Sequence, residues 1–142
     1  ATLYVALNVP APADGLKRGN TWGADDGAEV CFRDLSGRAP GPVFVLHGFA
    51  GGASESVTDA GAPAEAAIRL GKAVRFTAAV AGGQWTCTWS IPLAQAGLKP
   101  APGLKLGFNL GVRRAATDEW ICWAGTLAQN WQLGRAGVVV LD

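Results

Sequence analysis

The residues of this 142-residue chain that can do chemistry are few: one histidine, three cysteines, a short acidic run and six tryptophans. His47 is the only imidazole, so a metal centre of several histidines is excluded and any nucleophile–histidine pair has to be built on it. Ser54, Ser56 and Ser90 lie in no nucleophile-elbow pattern. The plainer reading of His47 is a strand residue pointing to a sheet surface. Asp25, Asp26 and Glu29 offer paired carboxylates for glycoside hydrolysis, or hard oxygens for a structural Ca²⁺ at Asp25 and Asp26. Their spacing matches no defined motif, and a solvated loop in which Asp25 or Asp26 caps backbone N–H groups competes with both. Cys31, Cys87 and Cys122 lack CxxC spacing and allow at most one internal disulfide, which fits either redox compartment.

Tryptophan is the compositional anomaly, with six Trp against one Tyr. Trp85 and Trp89 share a strand face with Cys87 and Ile91 and read as core. Trp120 and Trp123 fall on opposite faces of one strand, so one of them is expected inside. Trp22 stands between Asn20-Thr21 and Gly23-Ala24-Asp25, and Trp131 follows Gln129-Asn130. These two read as exposed platforms on loops. An exposed indole suits a sugar ring, whose C–H face is flat and apolar while its hydroxyls seek polar neighbours. The competing reading folds each loop Trp over a sheet edge.

The rest of the chain must position these groups. Its length suits one domain, residues 1–142, and 49% hydrophobic with 16% charged residues suits a buried core. Twelve basic residues against eleven acidic ones give no field for a phosphate backbone, so nucleic acid is not an expected partner. Gly, Pro or a charge interrupts every apolar run, which excludes a membrane-spanning helix. With no Met and a strand-like opening, the chain reads as a piece of a longer protein or assembly.

Alternation of period two dominates. It predicts strands at 3–9, 29–34 (Val30 and Phe32 inward, Glu29, Cys31 and Arg33 outward), 43–47, 73–81, 84–93, 104–112, 119–123 and 137–141. A Pro/Gly/Lys loop joins the first two, and Gly48 to Ala62 reads as a long loop closed by a helical turn over 63–70. Gly82-Gly83 predicts a tight hairpin. Eight short strands without sustained helical periodicity predict an all-β, antiparallel two-sheet sandwich.

The runs LYVALNV, NTWGADDGAEVCFRD, GGQWTCTWSIPLAQAGLKPAPGLKLGFNLGVRR and WICWAG, a second Trp eight positions on and a closing GVVVLD together resemble the family 9 carbohydrate-binding modules. Their DOMON-like, jelly-roll-like sandwich relatives share the pattern. The resemblance spans nearly the whole chain, on short and degenerate motifs, with the strands that precede LYV in the family absent. It implies a non-catalytic module of a secreted protein that grips a sugar, at times a chain end, between two Trp rings. Those rings fall on Trp22 and Trp131, and the family's acidic binding residue falls on Glu29. The chain departs from the pattern at Val45, where the family has Arg, and His47 lies two positions on and on the same face. Gly111 stands where the family has Gln, the Asn before the second Trp is offset to Gln129 or Asn130, and Thr88 replaces a Glu. Haem, which some DOMON-like relatives ligate through Met and His, is not expected in a chain with no Met and one His.

The reading is therefore an extracellular, non-enzymatic module for plant cell-wall polysaccharide of cellulose or xylan type. Trp22 and Trp131 form the clamp, Glu29, His47, Gln129 and Asn130 are the polar contacts, and no cofactor is required beyond a possible structural Ca²⁺. The rival is a structural or self-associating extracellular sandwich that has kept the fold and lost the sugar.

Overall fold

The computed structural model describes residues 1–11 and 15–142. Residues 12–14, part of the loop read between the first two strands, lie outside the described residues. Among the rest the backbone forms nine strands, one α-helix and two short 3-10 turns (Leu93–Ala96 and Leu133–Arg135): β1 (Thr2–Pro10), β2 (Gly27–Asp34), β3 (Phe44–Phe49), β4 (Ser54–Val57), α1 (Ala64–Ala73), β5 (Arg75–Ala81), β6 (Gln84–Pro92), β7 (Lys105–Arg114), β8 (Glu119–Cys122) and β9 (Gly137–Val140). All pairings are antiparallel. The smaller sheet runs β1-β6-β5 and the larger runs β4-β3-β2-β7-β8, with β9 sharing an edge of β7 with β8. The expected antiparallel two-sheet sandwich is the fold.

The alternating residues place the core between the sheets. Val30, Phe32, Phe44, Leu46, Leu106 and Phe108 of the larger sheet meet Val5, Trp85, Cys87, Trp89 and Ile91 of the smaller one. At about 25 cal/mol per Å² of apolar surface, these side chains are the main favourable term in folding. Gly82 and Gly83 take φ of +56° and +73°, the left-handed pair that a two-residue hairpin between Ala81 and Gln84 requires.

Three expectations need correction. Ser54–Val57, read as loop because only Val57 is apolar, is a strand, formed by pairing with the open edge of β3. The turn expected over 63–70 is a ten-residue helix that buries Ala66, Ala67 and Leu70. Neither Trp120 nor Trp123 is core: they are 56% and 59% exposed, because β8 ends the sheet where little packs over it.

β2 and β3 differ from the simple alternation in a way that matters for the site. Every residue from Gly27 to Phe32 and from Phe44 to Phe49 is buried, so both faces of these strands are covered. The inner face meets the small sheet. The outer face is roofed by the loop carrying Trp22 and by the C-terminal segment carrying Trp131.

Candidate binding cleft

The strand register sets three cross-strand rows on the outer face of the larger sheet. The central row is Glu55 (β4), His47 (β3), Glu29 (β2), Gly111 (β7) and Cys122 (β8). One pleat period to one side lie Phe49, Gly27, Arg113 and Trp120, and one period to the other lie Val57, Val45, Cys31 and Asn109.

Hydrogen bonds run along the central row. His47 Nδ1 is 2.9 Å from Glu55 Oε1, and its Nε2 is 3.0 Å from Glu29 Oε2. An ionised carboxylate only accepts, so both bonds are donated together when the ring carries both of its N–H protons. Glu29, 4% exposed, also accepts at Oε1 from Asn130 Nδ2 at 2.8 Å and from the Cys31 thiol at 3.3 Å. A carboxylate removed from water needs such partners, and these fix its direction.

Trp22 flanks the row on its Gly27 side. Its ring lies flat on the His47 imidazole, with centroids 3.9 Å apart and planes 8° from parallel, and it meets Phe49 and Trp120 edge-on. Gly27 makes room for it, since a Cβ there would stand 2.9 Å from the indole. His47 does lie on a sheet surface, as its strand position implies, but under this ring it is 2% exposed. Trp131 flanks it on the Cys31 side, packed with Leu133 and Ala136 on Cys31 and Val45. Both loop tryptophans are half-buried rather than fully exposed platforms, because each seats one side on the sheet. The Gly27 and Cys31 rows that carry them are four residues apart on one strand, about 13 Å at 3.3 Å per residue.

Above the row is a cleft of about 640 Å³. Trp22, Trp131, Glu29, His47, Gln129 and Asn130 all line it. The two departures at Gly111 and Val45 find a physical account here. Asn130 occupies the space over Gly111, where a Cβ would come within 3.0 Å of its Nδ2, and Val45 joins Val57 as an apolar floor. The Asn130 Oδ1 is buried and has no partner among the described residues.

The sequence reading missed five residues of this region. Trp120 lines the cleft, backed by the Arg113 guanidinium 4.8 Å from its ring centroid. Arg113 is itself held by Asp118 at 2.6 Å and by the Gly23 carbonyl at 2.8 Å. Asp59 and Cys122 are also in the lining. Asn109, fully buried, donates to the carbonyls of Ala124 and Asn130 and accepts from the Ala124 N–H, which ties the Trp131 loop to β7. Period two could have revealed Trp120 and Cys122, since they share the outward face of β8. Nothing local marks Asp59 or Asn109.

All three cysteines are free thiols. Burial, then the negative charge of Glu29, raises the Cys31 thiol well above its usual range and raises Cys122 in the same direction. Burial alone pushes Cys87 up to about 12. Asp25 and Asp26 sit in the loop before β2, buried rather than solvated. The two Asp26 oxygens accept from the N–H groups of Lys17 (2.5 Å) and Ala115 (3.0 Å), and Asp25 accepts from Thr21 (2.9 Å). No third carboxylate, histidine or cysteine joins this pair among the described residues, and both carboxylates anchor backbone amides.

No protein-family model matches the chain, and no curated protein matches it. Solved structures do. A family 9 carbohydrate-binding module from Caldicellulosiruptor kristjanssonii in complex with glucose superposes with a TM-score of 0.73, at 19% identity, over 99% of this chain and 71% of that one. The fold is that of a family 9 carbohydrate-binding module. A second structure of a family 9 module from the same organism, in complex with cellotriose, gives 0.70 at 18% identity, over 99% and 69% of the two chains. The family 9 likeness covers both sheets and the strands that carry the central row. No helix among the described residues is long and apolar enough to cross a membrane.

Proposed function

We propose that this chain is a non-catalytic module that binds oligosaccharide in the Trp22–Trp131 cleft and targets a secreted protein to cellulose- or xylan-like polysaccharide. The observation that carries the reading is the convergence of Trp22 and Trp131, 109 positions apart in the sequence, on one cleft floored by Glu29, His47 and Asn130. The indoles cover the sugar's C–H faces, and Gln129, Asn130 and the central row take its hydroxyls. The glucose and cellotriose bound by the family 9 structures support the class of ligand.

If each indole and the sugar face against it remove on the order of 100 Å² from water, two indoles contribute roughly 5 kcal/mol. Hydroxyl bonds add about 1 kcal/mol each, and association costs several, so the expected Kd lies between about 1 μM and 1 mM. Calorimetry with cello- and xylo-oligosaccharides tests this on the native protein and on Trp22→Ala and Trp131→Ala, with far-UV circular dichroism as the folding control. Each truncation is expected to cost about 2 kcal/mol or more, at least a thirtyfold loss. Folded variants that bind as well as the native chain, or a native chain that binds no glycan in a broad panel, overturn the proposal.

The rival, a self-associating sandwich, draws on Ile121, Trp123, Val138 and Val140, which are 43–59% exposed along the β8–β9 edge. Sedimentation showing one concentration-independent monomer removes it.

A further inference from the structure

Charge in the cleft is one-sided. Among the described residues Glu29 and Asp59 are the carboxylates of its lining, His47 is its one basic side chain, and no Lys or Arg reaches it. The nearest cation behind a wall ring, Arg113, is committed to Asp118. The two carboxylates are not equivalent. Glu29 is enclosed by His47, Asn130 and Cys31. Asp59 stands exposed in the turn after β4, where the Gly61 N–H bonds the Thr58 carbonyl, and its carboxylate has neither an ion pair nor a hydrogen bond among the described residues.

Three indoles, Trp22, Trp120 and Trp131, line the same space, with one face of Trp22 on His47 and one face of Trp120 under Arg113. The negative face of an indole attracts a cation, and an unpaired carboxylate beside it adds to that attraction. A neutral sugar engages Asp59 through hydroxyl donors alone, whereas an ammonium group on the ring engages both the carboxylate and the π-faces. A carboxylated or sulfated sugar meets like charge and finds no lysine or arginine to compensate it.

We propose that the cleft selects by charge: it prefers sugar rings that carry an ammonium group, as in a glucosamine oligomer, and Asp59 is the residue that sets the preference. This inference rests on the carbohydrate reading above and names the ligand class within it. It also implies that uronic-acid oligomers are rejected.

Calorimetry at about pH 5.5, above the ordinary carboxylate range, with four β-linked tetramers tests it. These are glucosamine, its N-acetylated counterpart with the charge removed, glucose, and a uronic-acid tetramer. The glucosamine tetramer is expected to bind about fivefold more tightly than the glucose and N-acetylglucosamine tetramers, the scale of one partly screened ion pair, and the uronic-acid tetramer more weakly than either. The preference should shrink as salt rises from about 0.05 to 0.5 M. In Asp59→Asn the ratio of glucosamine to glucose affinity should fall to about one. Neutral tetramers that bind while glucosamine binds no better overturn this inference and leave the carbohydrate reading standing. A ratio that survives in Asp59→Asn overturns the assignment to Asp59. No binding of any tetramer overturns the carbohydrate reading, and this inference with it.

Discussion

Cys122 gives the cleft a chemical handle that the other two cysteines do not. It is exposed, whereas Cys31 is held under the Trp131 loop and Cys87 lies in the core. The thiolate is the reactive form, and burial together with Glu29 raises the Cys122 pKa, so a smaller fraction is ionised at any pH below it than in a free thiol. Iodoacetamide at pH 7.5 is therefore expected to modify the native protein once, at Cys122, more slowly than a free cysteine, with a rate that still climbs as pH passes about 9. A saturating oligosaccharide should protect it, since the residue lines the cleft. Peptide mass spectrometry after timed quenching reads both effects. Equal labelling with and without a ligand that binds would place that ligand elsewhere.

At the scale of elements, the cleft exists because two connections fold onto a sheet that already has a buried face. The loop bearing Trp131 is tied down at two points. Asn109 holds Ala124 and the Asn130 backbone, and the Asn130 side chain reaches into the gap over Gly111 to Glu29. Asn109→Ala removes the first tie and leaves buried backbone groups without partners, which costs about 2–3 kcal/mol. Its larger expected effect is on binding. Trp131 loses its preset position, and ordering the loop at each binding event should weaken affinity about tenfold or more. Calorimetry reads the affinity, and amide exchange over 123–131 should quicken while that of β2 does not. Unchanged exchange in this segment would show that Asn109 is not the tie.

For the whole molecule the separation of the two sheets is set partly by one residue without a side chain. A Cβ on Gly48 would stand 2.4 Å from Phe76 Cε2 and 2.7 Å from Trp89 Cζ2, both on the opposing sheet. Gly48→Ala therefore overpacks the core and is expected to cost about 1–3 kcal/mol, seen as a melting temperature lower by about 3–9 °C. Because Gly48 adjoins His47, the displaced strand should also disturb the His47–Glu29 contact. The double variant Gly48→Ala, Phe76→Leu should recover part of the loss. Differential scanning calorimetry of both variants checks this, and a Gly48→Ala protein as stable as the native one contradicts the packing described.

Periodicity by itself determined the architecture. The strict alternation in residues 3–9, 84–93 and 104–112 has few backbone solutions other than half-buried strands, and it placed Val30 and Phe32 inward, Glu29 outward and Trp85 and Trp89 in the core. Loop composition marked Trp22 and Trp131, because rings flanked by Gly, Asn and Asp have no place in a ladder. Tertiary structure decided the rest. Nothing local tells β4 that β3 has an open edge, or tells β8 that its two tryptophans stay outside. Glu29, His47 and Cys31 read as outward and therefore wet, yet they are buried, because the cover over them comes from segments up to about a hundred residues away in the chain. The acidic pair Asp25 and Asp26 reads in the sequence as carboxylates free for an ion, and only the fold brings the amides of Lys17 and Ala115 to Asp26 and the amide of Thr21 to Asp25. Contacts across such separations depend on the closure of the whole sandwich, and a one-dimensional pattern carries the face of a residue but not what comes to lie on it.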